Sequence, residues 1–355
     1  MKLEVNTVLL QVVSNKLVKA VSTKDLVPSL KDFLINVTDG NIHIVAGDSA
    51  TYLEKDIACN AIEETGKVAV DGKEFTKLIN KINSDTVILE VIEDGRLRIK
   101  AGKSKFHLKT INADDYIYPE DIESEVTGIK VLLPELKRAL KLGAITVSKN
   151  ATEVYYTGYK LGKVLMTTNV NNITLYDINV CQDDLLLTPD LVSLIHDLDG
   201  DTANISYTED FIEITTEGTR ILGNLLSGLE NFPADDVLDQ FSYDKSALVN
   251  KAELIPVLDR ALIFVDAVGA VELKFTKNII QCKLVGDADV DTYEEVPYKG
   301  ELDGLTINVN VGMLHQIATS IDSDELELYV DSAEAPLLVK SGSYKAVMAS
   351  MSISE

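Results

Sequence analysis

Tryptophan is absent from the 355 residues, and histidine (4), cysteine (3) and proline (8) are scarce. The three cysteines, Cys59, Cys181 and Cys282, lie far apart. An odd, sparse count excludes a disulfide framework and fits reduced thiols buried as small hydrophobes. The histidines, His43, His107, His196 and His315, never stand at metal-ligand spacing, and no metal or cofactor is expected. No run approaches the ~18 apolar residues of a membrane span. The start, Met1 to Asn6, lacks the apolar core of a signal peptide, so the expected location is cytoplasmic. The sequons at Asn36, Asn150, Asn172 and Asn204 then carry no weight. Glycine-rich phosphate loops, dinucleotide fingerprints and the nucleophile elbow are missing, and no catalytic constellation stands out. Cations are also few: 33 Lys+Arg against 57 Asp+Glu, a formal charge of −24. That excludes a protein whose whole surface grips nucleic acid or an anionic membrane, although a local basic patch stays open. With 46% hydrophobic and 25% charged residues, the chain is globular rather than disordered.

What the chain does have is internal repetition. Three segments, Val68–Asp85, Leu185–Asp201 and Ile307–Asp324, each read as strand, turn, amphipathic helix and a terminator. The terminators are Ile82-Asn-Ser-Asp85, Leu198-Asp-Gly-Asp201 and Ile321-Asp-Ser-Asp324. Leu198 lies 116 residues after Ile82, and Ile321 lies 123 after Leu198, each close to a third of the chain. Tyr118-Pro119 and Phe232-Pro233 read as unit ends. After each terminator come short alternating runs with Gly-containing turns, such as Thr86–Val91, Arg96–Lys100 and Lys105–Lys109, which signal antiparallel hairpins. Each unit also opens on a helical pattern: Val8, Leu9, Val12, Val13 and Leu17; Leu136, Ala139 and Leu140 after Pro134; Leu254, Val257, Leu258 and Ala261. Pro256 predicts a first-turn position or a late helix start. The class is α+β, with three domains at 1–125, 126–240 and 241–355, each an antiparallel sheet with two helices on one side.

The positive charge is concentrated on helices. Lys73, Lys77 and Lys81 recur every four residues, opposite the apolar stripe Phe75, Leu78, Ile79 and Ile82. Lys16, Lys19 and Lys24 belong to the first helix and its loop; Lys137, Arg138, Lys141 and Lys149 belong to the second unit. On one helix such lysines merely solvate a face. On recurring helices of a repeat they collect on one surface suited to phosphate contact without base reading. The helices of the third unit offer only Lys251, Arg260 and His315, and the Asp190–Leu198 helix only His196. Acidic clusters are poor metal sites by pattern. Asp287, Asp289 and Asp291 start a calcium loop that then has Thr292 where glycine and Tyr298 where glutamate is required. Asp197-Leu-Asp-Gly-Asp201 reads as a helix-ending turn.

In order and spacing these segments resemble the bacterial DNA polymerase III beta subunit, the sliding clamp, over essentially the whole chain. The resemblance rests on the threefold repeat, the length, Leu26-Val-Pro-Ser-Leu30, Asp39-Gly40, Gly47-Asp48, Lys73-Glu-Phe75, Ser104–Leu108, Asn231-Phe-Pro233 and Tyr344–Met348. It implies the DNA-clamp fold as a head-to-tail homodimeric ring, with helices lining the inside and sheets outside. It implies a non-catalytic, cofactor-free processivity factor that encircles duplex DNA, is placed there by a clamp loader, and tethers the replicative polymerase and other proteins. A ring held by topology needs only weak, non-specific phosphate contacts. By resemblance Lys24, Lys73 and Tyr155 occupy DNA-contacting positions, and the helix faces add Lys77, Lys81, Lys137, Arg138, Lys141 and Lys149. The family's hydrophobic pocket for partner peptides maps onto Val154, Tyr156, Thr157, Thr168, Val170, Asn171, Ile173, Pro233, Val237, Val347, Met348 and Met351. The dimer contact maps onto Phe106 and Leu108 on one side and Tyr293 and Val296 on the other.

Two departures touch the pocket. The usual Thr-Asp-Gly is Thr168-Asn169-Val170, and the usual Val-Met-Pro tail is Val347-Met348-Ala349. They mark a diverged member, such as a phage or other mobile element would carry. Two rival readings remain at this stage. One is a clamp-like interaction hub that does not encircle DNA, motivated by the cation-poor third unit. The other, weaker one is an acidic metal-binding repeat protein or hydrolase.

Overall fold

The computed structural model describes residues 1–21, 27–118, 126–150, 152–264, 269–285 and 292–352. Six α-helices lie among the described residues: α1 (Thr7–Leu17), α2 (Gly72–Ile79), α3 (Leu133–Gly143), α4 (Pro189–His196), α5 (Lys251–Ile263) and α6 (Val311–Ser320). Each follows a strand with at most one residue between. In five of them the last extended residue caps the helix. Asn6, Asp71, Thr188, Asn250 and Asn310 accept backbone N–H groups of the first turn at 2.8–3.1 Å. A short polar side chain satisfies donors that the helix leaves open, so a strand turns into a helix without a loop.

The helix faces follow the expected periodicity, with three corrections. On α1 the buried residues are Thr7, Leu10, Val13, Ser14 and Leu17, while Val8, Leu9 and Val12 are exposed. The packed face is completed by small polar residues: Thr76 on α2 donates to the Gly72 carbonyl at 2.7 Å and lies 3.4 Å from that of Ser14, letting α1 and α2 approach. Next, α2 ends at Ile79, so Lys81 and Ile82 follow in a tightened turn closed by N–H bonds to Leu78 and Ile79. Finally, α5 starts at Lys251, so Pro256 sits inside the helix rather than at its start. Proline removes one ladder bond there, and burial of Leu254, Val257, Leu258 and Ala261 holds the helix together.

By internal contacts the chain forms two units: residues 1–134 with 188–225, and 135–187 with 226–355. The first unit holds a five-stranded sheet in the order Ala61–Glu64, Lys2–Asn6, Thr86–Val91, Leu97–Ala101 and Ser104–Leu108. It also holds a nine-stranded sheet: Thr110–Ile111, Gly66–Asp71, Asp32–Val37, Asn41–Gly47, Thr51–Ala58, Thr219–Asn224, Phe211–Thr216, Thr202–Tyr207 and Val126–Leu132. The second unit holds one twelve-stranded sheet running from Leu185–Leu187 through Asn172–Asp177 and Tyr344–Met348 to Thr306–Asn310. All strand pairs are antiparallel, as the hairpin signals require.

Two junctions decide how successive thirds of the chain join. Thr51–Ala58 pairs with Thr219–Asn224, from Thr219 opposite Lys55 to Gly223 opposite Thr51. Asn172–Asp177 pairs with Tyr344–Met348, from Asn172 opposite Met348 to Tyr176 opposite Tyr344. Each time, the outer strand of one third's hairpin array meets the last strand of the next third, and an edge that would be left open is closed. At the first junction Arg220 reinforces the ladder, donating to the buried Glu54 at 2.8 Å and to Glu213.

One buried group in the first unit works against stability. Asp32 is 3% exposed at the start of its strand, opposite the helix-capping Asp71, and has no ion-pair partner among the described residues. Burial pushes its carboxyl up to about 6. A folded-state pKa above the unfolded one means that folding is favoured with the proton on and weakened as pH rises from ~4 through 6. Asp32→Asn is therefore expected to stabilise the protein at neutral pH by up to about 2 kcal/mol. The gain should vanish near pH 4, in urea melts of both forms across that range. A pH-independent difference would remove ionisation as the cause.

Candidate nucleic-acid and partner-binding surfaces

The lysines of α2 are placed by its capped start and its buried stripe. Phe75 and Ile79 are fully buried, which turns Lys77 outward; Lys77 and Lys81 are exposed and Lys73 is half-buried. None of these three ammonium groups has an ion-pair partner among the described residues. Lys141, on the last turn of α3, and Lys149 are likewise exposed and unpaired among the described residues. Other cations are already engaged. Arg138 pairs with Asp322 at 2.8 Å, Lys137 has interactions of its own, Lys16 meets Asp199 at 2.6 Å and Lys19 meets Asp197 at 2.7 Å. Helix spacing cannot reveal these pairs, because the carboxylates come from distant turns, including the Asp197–Asp201 terminator. Lys24 lies outside the described residues, as do Asp287, Asp289 and Asp291.

Tyr155 lies in the second unit. It belongs to a short 3-10 turn, Val154–Thr157, and its ring stacks edge-on with Tyr156 at 4.6 Å. The same ring lies over Gly228, whose φ of 98° and lack of a side chain both matter: a Cβ there would stand 2.8 Å from the Tyr155 ring. Tyr155 thus joins an apolar cluster in the second unit built on buried Met166, Leu175, Leu186 and Phe232. Ile173, Leu226, Leu229, Val237 and Leu238 pack on its edge. Burial pushes the Tyr155 phenol up, and the nearby Glu153 and Glu230 add to the shift.

The twelve residues assigned to a peptide pocket fall in this one unit but not all at its surface. Val154 and Val170 are 62% and 68% exposed; Asn171 is exposed; Tyr156, Thr157, Ile173, Pro233, Val237 and Met351 are half-buried. Thr168, Val347 and Met348 are buried and lie in the floor. The Thr168 hydroxyl closes its own turn, donating to the Asn172 carbonyl at 3.0 Å and accepting the Val170 N–H at 3.0 Å. The C-terminal segment is tied to that turn by Ala349 N–H to Asn171 O at 2.9 Å. Beside the cluster, Pro233, Ala234, Asp236, Val237 and Asp239 line an open hollow of about 740 Å³. This loop is held by an ion triad: Lys160, 5% exposed at its side chain, bonds Asp235 at 2.7 Å and Asp184 at 3.0 Å. Burial alone would lower the Lys160 ammonium, but the hydrogen bonds to Asp235 and Asp184 outweigh it and raise its pKa.

The proposed dimer residues divide. Phe106 and Leu108 are half-buried on one face of Ser104–Leu108, the edge strand of the five-stranded sheet. Tyr293 is 59% exposed, its hydroxyl on Glu295 at 2.6 Å. Val296 is fully buried: strand alternation points it inward with Tyr298, so it presents no side chain to a partner. The sequence reading missed Ile263 and Phe264, 73% and 51% exposed at the end of α5. They line a cavity of about 640 Å³ with Val257, Ala261, Leu284 and Thr292. Their signal was two apolar residues out of phase with the buried stripe.

The turn at Val170 is strained. Its φ of 78° is left-handed, a conformation costly for a β-branched residue. Val170→Gly is expected to stabilise the chain by about 1 kcal/mol, read as a higher urea midpoint. An unchanged or lower midpoint would show that contacts of the valine outweigh the strain.

Among the described residues no helix is long and apolar enough to cross a membrane. Residues 1–119 match the family model described as DNA polymerase III beta subunit, N-terminal domain. A beta sliding clamp of Mycoplasma capricolum is 20% identical, with 96% of this chain and 95% of that protein covered. The Bacillus subtilis beta sliding clamp is 26% identical over 68% of this chain and 69% of its own length. The crystal structure of the beta subunit of DNA polymerase from Streptococcus pyogenes superposes with a TM-score of 0.91 at 19% identity, covering 99% of this chain and all of that one. Residues 1–119 thus match the N-terminal-domain model of the DNA polymerase III beta subunit, and over its full length the chain is similar to beta sliding clamps and shares their fold.

Proposed function

We propose that this chain is a DNA sliding clamp, a non-catalytic processivity factor of DNA polymerase, built of three domains at 1–125, 126–240 and 241–355. The full-length relationship to beta sliding clamps carries this reading. Strand pairing supports a head-to-tail homodimeric ring. At both internal junctions the last strand of one sheet arm, Thr51–Ala58 or Asn172–Asp177, takes the closing strand of the next third, Thr219–Asn224 or Tyr344–Met348. The same rule leaves two strands without their counterpart: Ser104–Leu108 in the first third and Glu294–Gly300 in the last. Among the described residues, 294–297 pair on one side only, with Ile279–Cys282. A second copy supplies each missing strand, and Phe106 then has Ile263, Phe264 and Tyr293 as its apolar counterpart in place of Val296. Such a closure is isologous over the pair of chains and completes a ring.

Within the ring, Lys73, Lys77, Lys81, Lys141 and Lys149 are the cations available to phosphate, with Lys24 assigned by resemblance alone. Contacts of this kind tether without reading sequence. The surface around Tyr156, Ile173 and Val237 takes segments of the polymerase, the clamp loader and other partners. Exposed acidic residues elsewhere keep DNA off the wrong faces.

Light scattering at several concentrations is expected to return the mass of two chains, and Phe106→Arg to shift it toward one. A monomer throughout would favour an interaction hub over a self-closing clamp. Substituting Lys73, Lys77 and Lys81 by Glu is expected to weaken binding to a short duplex at least ~10-fold at low salt and to flatten the salt slope by roughly 2–3. Binding that stays the same would place DNA contact elsewhere.

A further inference from the structure

The surface assigned above to partner segments has a charge that its apolar floor does not require. Around Tyr155, Tyr156, Phe232 and Val237 stand Glu153, Glu230, Asp236 and Asp239, all exposed. Asp236 and Asp239 line the hollow beside Val237 directly. Glu153 immediately precedes the Val154–Thr157 turn, and Glu230 lies in the 3-10 turn Leu229–Asn231 that leads into Phe232. None of the four has an ion-pair partner among the described residues; Glu230 accepts only the Asn231 side-chain amide at 3.1 Å. Asp235 does have one, but Lys160 is shared between Asp235 and Asp184, so that triad adds a further net negative charge. Against these stands Lys149, next to Ser148, whose N–H donates to the Tyr156 carbonyl at 3.0 Å. An apolar strip edged by uncompensated carboxylates attracts cationic flanks and repels acidic ones.

Resting on the partner-docking reading, we infer that the partner segment recognised here carries Lys or Arg beside its hydrophobic anchor. The apolar residues seat the anchor, and the carboxylates of Glu230, Asp236 and Asp239 receive the basic flank. Exposed charges of this kind select among partners and speed encounter more than they add affinity, and salt weakens them.

The test uses the full chain and three fluorescein-labelled peptides with the same Leu-Ala-Leu-Phe centre, flanked by Lys, Ser or Glu. Anisotropy titrations at low salt are expected to rank them Lys, Ser, Glu, with roughly 10-fold between the extremes. The spread should close at high salt and in the combined E230Q, D236N and D239N variant, while the Ser-flanked peptide binds that variant as before. Equal affinities, or a preference for Glu, would overturn the inference and leave the docking surface standing. Failure of the Ser-flanked peptide to bind, or binding unaffected by Val237→Arg, would sink the docking reading itself and this inference with it.

Discussion

Unpaired strand edges are the constraint on which the rest of this architecture depends. Each third of the chain ends its hairpin array on a strand whose backbone donors and acceptors need partners. Inside the chain that need is met twice, by Thr51–Ala58 with Thr219–Asn224 and by Asn172–Asp177 with Tyr344–Met348. These ladders join consecutive thirds into continuous sheets, so the boundary between the two compact units falls within the middle third rather than between repeats. Among the described residues Ser104–Leu108 has no such partner, and neither does one side of residues 294–297. The proposed closure by a second copy would use the same backbone chemistry that joins the thirds.

Electrostatics works on this frame by subtraction. A chain with 57 acidic residues can touch DNA only where cations are both exposed and unspent. The cations of α1 are partly spent on the Asp197 and Asp199 carboxylates, and Arg138 is spent on Asp322. Exposed pairs like these stabilise little, but they lower the charge on offer. Lys73, Lys77 and Lys81 keep theirs, with no ion-pair partner among the described residues, and the buried stripe of α2 turns Lys77 to solvent.

In the second unit a strained turn is held by its own side chains. Val170 occupies a left-handed position, and Thr168 bonds the turn from both sides. Val347 and Met348 keep their places beneath the surface through pairing with Asn172 and Ile173. Around this floor exposed carboxylates outnumber cations.

Much of this was legible in the residues alone. Periodicity located the helix faces of α2, α3 and α5, and alternating runs located the hairpins, because these are local properties of 3.6- and 2-residue periods. Net charge and the sparse cysteines set the chemical class for the same reason. Tertiary structure alone decided which apolar residues are covered: Val8 and Val12 came out exposed on α1, Val296 went into the core, and Ile263 and Phe264 emerged at the surface. It alone decided which cations are free, since Asp197, Asp199 and Asp322 reach their partners from far along the chain. Burial and ion pairing depend on which distant segments meet, and no single window of sequence contains both halves of such a contact.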